Sequence, residues 1–157
     1  MRIQRAAGYI GFLSLFGAEV ALSALHPAAV EPYQVALLGL AAYQGGRALS
    51  YNGVFQWLRD PFCRVEPDSS GAGDSVLPKE DNDFIYAVGD CLACPICTGT
   101  HVAGLLYVLL CWAPTVGATL LSVLGAAGIA QVLHWWSERD EWQGRHARED
   151  AGWISKH

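Results

Sequence analysis

TGTHVAGLLYVLLCWAPTVGATLLSVLGAAGIAQVLHWW, residues 98–136, contains no Asp, Glu, Lys or Arg. A helix crossing the hydrocarbon core of a bilayer takes about 20 residues. This stretch is therefore too long for one crossing and long enough for two. Pro114 lies near its middle, and proline disfavours helix continuation. The reading is a hairpin of two transmembrane helices, about 97–113 and 115–136.

Working outward, two more apolar runs appear. Residues 6–25 (AAGYIGFLSLFGAEVALSAL) carry one charge, Glu19, and residues 33–50 carry one, Arg47. The chain has 157 residues, 52% hydrophobic and only 16% charged. A soluble domain carries about 25% charged residues. The expected fold class is all-α: a four-transmembrane-helix bundle over residues 1–136, followed by a cytoplasmic tail, 137–157. The net charge of −5 argues against a nucleic-acid partner.

Lysine and arginine set the orientation. With the N-terminus inside, the outer loops are 26–32 and the turn at Pro114, and neither contains Lys or Arg. All ten basic residues then fall on the inner side. Both termini are expected in the cytoplasm. Arg2, Arg5 and the ALSA at 21–24 also resemble a cleavable leader. However, the apolar run is longer than a typical leader core, so an uncleaved helix is expected.

The cytoplasmic loop, 51–93, holds most of the non-membrane mass. Val54, Phe55, Trp57, Leu58 and Phe62 suit a short amphipathic helix lying on the membrane. Residues 66–83 are acidic and rich in Gly, Ser and Pro, so a flexible loop is expected, and its acidic 80–83 reads as solvated rather than as a calcium site. FIYAVGD, 84–90, returns the chain to the bilayer. Trp135 and Trp136 are expected to anchor the last helix at the inner interface, and Trp142 and Trp153 to rest there too.

WLRDPF at 57–62 and GDCLACPICTGTHVA at 89–103, followed by a two-helix hairpin, resemble the domain of unknown function 1360 family, small bacterial integral membrane proteins. The resemblance spans roughly 40–136. The family pattern is an Arg-bearing helix, LRxPF, an acidic loop, a CxxCTG run and two more helices. It falls here on Arg47, Leu58, Arg59, Pro61, Phe62, Gly89, Leu92, Cys94, Cys97, Thr98 and Gly99, with Asp90 as the acidic residue. Three departures stand out. Cys91 replaces an apolar residue, His101 stands where the family has Trp, and the first helix is extra. The resemblance implies a bacterial inner-membrane location and no particular activity.

Cys91, Cys94 and Cys97 read C-x₂-C-x₂-C, with His101 four residues on. Cys97 and His101 at i and i+4 share a helix face. Cys63, Arg47 and His134 fall on the same side of the membrane. The candidate metal ligands are Cys91, Cys94, Cys97, His101 and Cys63. Three chemistries fit: zinc in a thiolate–imidazole shell, an iron–sulfur cluster, and a dithiol that cycles with its disulfide. Reduced thiols that merely pack are the bland alternative, and Cys111 reads as packing alone.

Glu19 is expensive in lipid and therefore a candidate functional group. By depth it is expected to be protonated or to hydrogen-bond Tyr107 or Ser122. GLAAYQGG at 39–46 and GATLLSVLGAAG at 117–128 permit close helix approach. No catalytic constellation is legible. The first functional expectation is a non-enzymatic accessory or scaffold subunit of a membrane complex, with lipid and other membrane subunits as partners. The alternatives are a thiol–disulfide or electron-transfer protein and, as the weakest, a small transporter built around Glu19.

Overall fold

In the computed structural model, residues 3–67 and 74–150 are described, with side chains over 3–67 and 75–140. Helix α1 covers Ile3–Leu25, α2 Pro32–Tyr51, α3 Gln56–Arg59, α4 Asp83–Ala93, α5 Pro95–Trp112 and α6 Pro114–Asp150. A 3₁₀ turn, Gly53–Phe55, leads into α3. Strands β1 (Cys63–Pro67) and β2 (Asp74–Pro78) form an antiparallel pair with Cys63 opposite Pro78 and Pro67 opposite Asp74.

Local chemistry sets the helix limits. Pro32 opens α2, where its missing N–H costs nothing. Gln34 reaches back to accept from the Glu31 N–H at 2.9 Å. The Asn82 side chain accepts from Ile85 N–H at 2.8 Å and starts α4. Pro95 opens α5 and Pro114 opens α6. Only Ala113 separates these two helices, with φ −138° and ψ 70°, so the proline marks the hairpin as its position predicts.

Helix α2 lies against both α5 and α6, whereas α1 leans on α4 and α5. The core between α2, α5 and α6 is Ala41, Leu106, Leu110 and Leu121, with Leu37, Val102 and Leu124 packed around it. The outward faces are apolar: Ile10, Leu13, Leu105 and Val123 are all exposed. The buried residues of α1 are Gly8, Glu19 and Ser23. That helix is apolar outside and small or polar inside, the reverse of a helix on a soluble protein. Three helices are long and apolar enough to cross a membrane: Ile3–Leu25, Pro95–Trp112 and Pro114–Asp140. Helix α2 is not one of these, because Gln34, Gln44 and Arg47 lower its hydropathy.

The loop between α2 and α5 is more ordered than composition suggests. The 66–83 stretch expected to be flexible contains the end of β1 and all of β2, and residues 68–73 lie outside the described residues. The hairpin is held by Lys79 N–H donating to Phe62 O at 2.8 Å and by the Cys63 thiol donating to Gly89 O at 3.5 Å. The amphipathic helix expected over 52–62 is reduced to the 3₁₀ turn and one turn of α3, with Val54 and Trp57 exposed. Residues 84–90 belong to α4, a separate helix that ends at Ala93 before α5 begins. Helix α6 runs on to Asp150, beyond the expected limit at 136. The side chain of Trp142, and Trp153 altogether, lie outside the described residues.

Glycines set the closest helix approach. A methyl group on Gly46 would stand 2.3 Å from Pro95 O and 2.8 Å from the Gly99 backbone. One on Gly128 would stand 2.5 Å from Leu40 O. The small-residue runs in α2 and α6 are therefore used inside the bundle. Gly46→Ala is expected to destabilise the protein by about 1–3 kcal/mol through overpacking. Gly39→Ala, with nothing within 4 Å of the added methyl, should be neutral or mildly stabilising. Thermal melts in detergent read both; equal melting temperatures for the two variants would contradict this crossing.

Candidate functional site: a dithiol at the head of α5 and a buried Glu–His pair

The motif residues cluster where α2 ends and α5 begins. Arg59 is buried, and its Nη1 donates to Leu49 O at 2.6 Å and Asn52 O at 3.0 Å. It therefore satisfies carbonyls at the C-terminus of α2, which would otherwise be left without partners. Ser50 Oγ donates to Leu92 O at 2.9 Å and lies 3.0 Å from Thr98 Oγ1. Thr98 Oγ1 also lies 3.0 Å from Cys94 O and 3.3 Å from Gly46 O. Gly99 packs on Ala42 O, and Gly89 sits under Phe62 O. Arg59, Gly89, Thr98 and Gly99 thus build a joint between α2, α4, α5 and the hairpin.

Cys94 occupies the cap of α5, with φ −90° and ψ 109°. Its sulfur accepts from the Cys97 N–H at 3.4 Å. Pro95 stands at the first helical position between the two cysteines, and both thiols are half-buried. Burial opposes ionisation of Cys94. The Cys97 thiol and the N–H groups of Cys97 and Ile96, all donating to its sulfur, outweigh that, so Cys94 lies below the ordinary thiol range. Cys91, buried at the end of α4, is pushed up by burial and then by the Asp90 carboxylate. Cys63 is also raised by burial, against the opposing charges of Arg59 and Lys79. All five cysteines are free thiols.

The five expected metal ligands are not brought together. Among the described residues no three His, Cys, Asp or Glu side chains converge as a metal shell. Cys94 and Cys97 are neighbours. Cys63 is turned to Gly89 O, and His101 is turned to α1.

His101 Nδ1 lies 3.0 Å from Glu19 Oε1, with the imidazole 12% and the carboxyl 4% exposed. Phe12 meets the imidazole edge-on, ring centroids 4.2 Å apart. Glu19 Oε2 has no hydrogen-bond partner among the described residues, and a methyl on Gly104 would collide with it, so only glycine leaves room there. The expected partners of Glu19 are engaged elsewhere. Tyr107 donates to Ala28 O at 3.3 Å, and Ser122 donates to Ala118 O at 2.8 Å within its own helix. Depth along the chain is a weak guide because α1 packs against α4 and α5, which sets its height independently. Arg5 pairs with Asp83 at 3.2 Å, Tyr9 donates to Asp90 at 2.8 Å, and Trp112 donates to Leu22 O at 3.1 Å. No sequence signal joined Glu19 to His101, which are 82 positions apart.

A groove of about 840 Å³ runs between α1 and α2 over the face of α5. Glu19, Ala103 and Gly104 line its middle, Tyr107 and Pro27 one end, and Arg47 and Pro95 the other.

Removing either member of the Glu19–His101 pair leaves a buried polar group unmatched, which costs about 1–3 kcal/mol. Glu19→Ala and His101→Ala should each lower the melting temperature in detergent. The double variant should lose clearly less than the two losses combined. Additive losses would mean that the two side chains do not interact.

The sequence profile described as "Protein of unknown function (DUF1360)" matches residues 37–137, well over half of the chain. Comparison with curated proteins and with solved structures returns no match. The matched region starts inside α2, so α1 lies outside it. Helix α1, outside the matched region, therefore meets His101 inside it through Glu19. On the strength of that match, this chain belongs to the DUF1360 family.

Proposed function

We propose that this chain is a small multi-pass protein of the bacterial inner membrane that serves a larger membrane complex, and that its working group is the Cys94–Cys97 dithiol. The observation that carries the reading is the seat of Cys94: cap of α5, proline next, Cys97 at the third helical position with its N–H on the Cys94 sulfur. A thiol at a helix N-terminus, in a Cys-x-x-Cys run, is held toward its thiolate. The thiolate is the nucleophile in disulfide exchange.

The step balances without another cofactor. The Cys94 thiolate attacks one sulfur of a partner disulfide, the partner S–S bond breaks, and one partner thiol leaves. The Cys97 thiol then loses its proton and attacks the Cys94 sulfur, releasing the second partner thiol. The partner gains two electrons and two protons, and Cys94–Cys97 becomes the disulfide. Residues three apart at a helix start fit the Cα separation of roughly 4.4–6.8 Å that a disulfide spans. Such a bond in a reducing compartment is transient and working rather than structural.

Four crossings suit this reading. Helix α2 is the least apolar of the four, and it packs closely against both α5 and α6. Shielding by α5 and α6 offsets its lower hydropathy. The distribution of Lys and Arg supports cytoplasmic termini and a dithiol at the inner face. A zinc or iron–sulfur site using Cys63 or His101 would need Cys63 to leave Gly89 O or His101 to leave Glu19.

Purified protein in detergent, equilibrated in graded glutathione buffers and trapped with a mass-adding maleimide, tests the proposal. A single two-electron transition confined to Cys94 and Cys97 is expected. Cys97→Ser should instead collect a mixed disulfide on Cys94, and Cys91→Ser should leave the transition in place. Alkylation of Cys94 should stay fast at pH values where ordinary thiols have slowed. It should fall only as pH drops through the lowered thiol value, because the thiolate is the reacting form. Thiols that stay reduced throughout, or about one bound zinc lost in Cys94→Ser, would sink the redox reading.

A further inference from the structure

The groove between α1 and α2 has one charged end and an apolar body. Arg47 stands at the end where α2 finishes and α5 begins, beside Pro95. It is exposed and makes no ion pair among the described residues. Tyr43 and Tyr51 flank its guanidinium, each ring centroid 5.8 Å from Cζ. From there the groove passes Gly99, Ala103 and Gly104 on α5 to Tyr107 and Pro27. The α5 residues 95–107 span about 18 Å at the helical rise, the length of a long acyl chain. Glu19, the one acidic side chain lining the body, is bonded through Oε1 to His101, which lies behind the groove wall.

We infer that this groove is a site for one anionic membrane lipid, with its phosphate on Arg47 and an acyl chain laid along α5 between α1 and α2. Three features commit the site to that occupant. First, a single unmatched cation at one end calls for a single anion there, and a guanidinium pairs with phosphate through two parallel hydrogen bonds. Second, Arg47 stands near the C-terminus of a helix that ends at the water boundary, where lipid headgroups lie. Third, α1 rests on α4 and α5 with at most marginal contact to α2, so the groove opens sideways into the bilayer. The occupant is then already abundant and need not be recruited, and mass action fills such a site. Its volume falls within the range of ligand sites, about 300–1,000 Å³. The site is independent of the dithiol, because Cys94 and Cys97 do not line the groove.

The test uses the full chain in neutral detergent. Phosphatidylglycerol and phosphatidylcholine with matched chains are titrated, with inorganic phosphate alone as a third probe, read by native mass spectrometry and thermal melts. One bound phosphatidylglycerol is expected, preferred roughly fivefold over phosphatidylcholine, the scale of one arginine at an anionic surface. Arg47→Gln should abolish the preference and Arg47→Lys restore part of it. A phosphatidylglycerol carrying a photoreactive group in its chain should label Ala103, Tyr107 and their groove neighbours. Equal binding of the two lipids, stabilisation by phosphate alone, or a preference that survives Arg47→Gln would overturn the headgroup assignment. Labelling spread over the outward faces, or a second protein cross-linked in the groove in place of the lipid, would overturn the acyl path.

Discussion

The contact between Gly46 of α2 and the α5 backbone at Pro95–Gly99 constrains much of the structure. With no side chain at the crossing, backbone meets backbone, and a single methyl would collide with a carbonyl. Close approach of this kind replaces the hydrophobic driving force that helices lack inside lipid. It also brings Ser50 onto Thr98 and Leu92 O, so the polar groups at the end of one helix are matched by the start of the next. Arg59 completes the joint by taking the last carbonyls of α2. The hairpin and α4 then hang from the same place through Phe62, Cys63 and Gly89. Residues of the WLRDPF and GDCLACPICTG stretches supply much of the chemistry of this joint.

Helix α1 is attached by different physics. Its outward side is mostly apolar, and its inward side carries Gly8, Glu19 and Ser23. Directional contacts therefore fix its height and rotation: Arg5 and Tyr9 near the start, Glu19 in the middle, Leu22 O near the end. The Glu19–His101 bond is the deepest of these, in surroundings where an unpaired carboxyl or imidazole costs several kcal/mol. Gly104 belongs to the same arrangement, since any side chain there would displace the carboxyl. Glu19 joins α1 to α5 through His101. Because α1 leans away from α2, an apolar groove remains on the α5 face.

The three cysteines of CLACPIC divide between two helices. Cys91 closes α4 and is buried, while Cys94 and Cys97 open α5 across Pro95. The break at Ala93–Pro95 separates them: Cys94 has extended backbone, so the regular spacing of three does not continue as one helical face. Spacing alone suggested a ligand run. The cap geometry instead sets two thiols side by side and leaves the third on another element.

Composition by itself determined the membrane character, because a long uncharged run has few other fates in water. It also determined the hairpin at Pro114 and the membership in the family, since proline geometry and contiguous motifs are local. Residues that would hold the joint were visible as motif positions, though not their contacts. Tertiary structure alone decided the rest. The β1–β2 pair was hidden because its partners flank a polar loop and strand pairing is non-local. Residues 84–90 read only as a return to the bilayer; the Asn82 cap and packing against α1 make them part of a separate helix, α4. His101 was assigned to Cys97 by shared helix face, and the position of α1 gave it to Glu19 instead. A helix's own sequence states which residues share a face; which neighbour that face meets is settled by packing across the whole bundle.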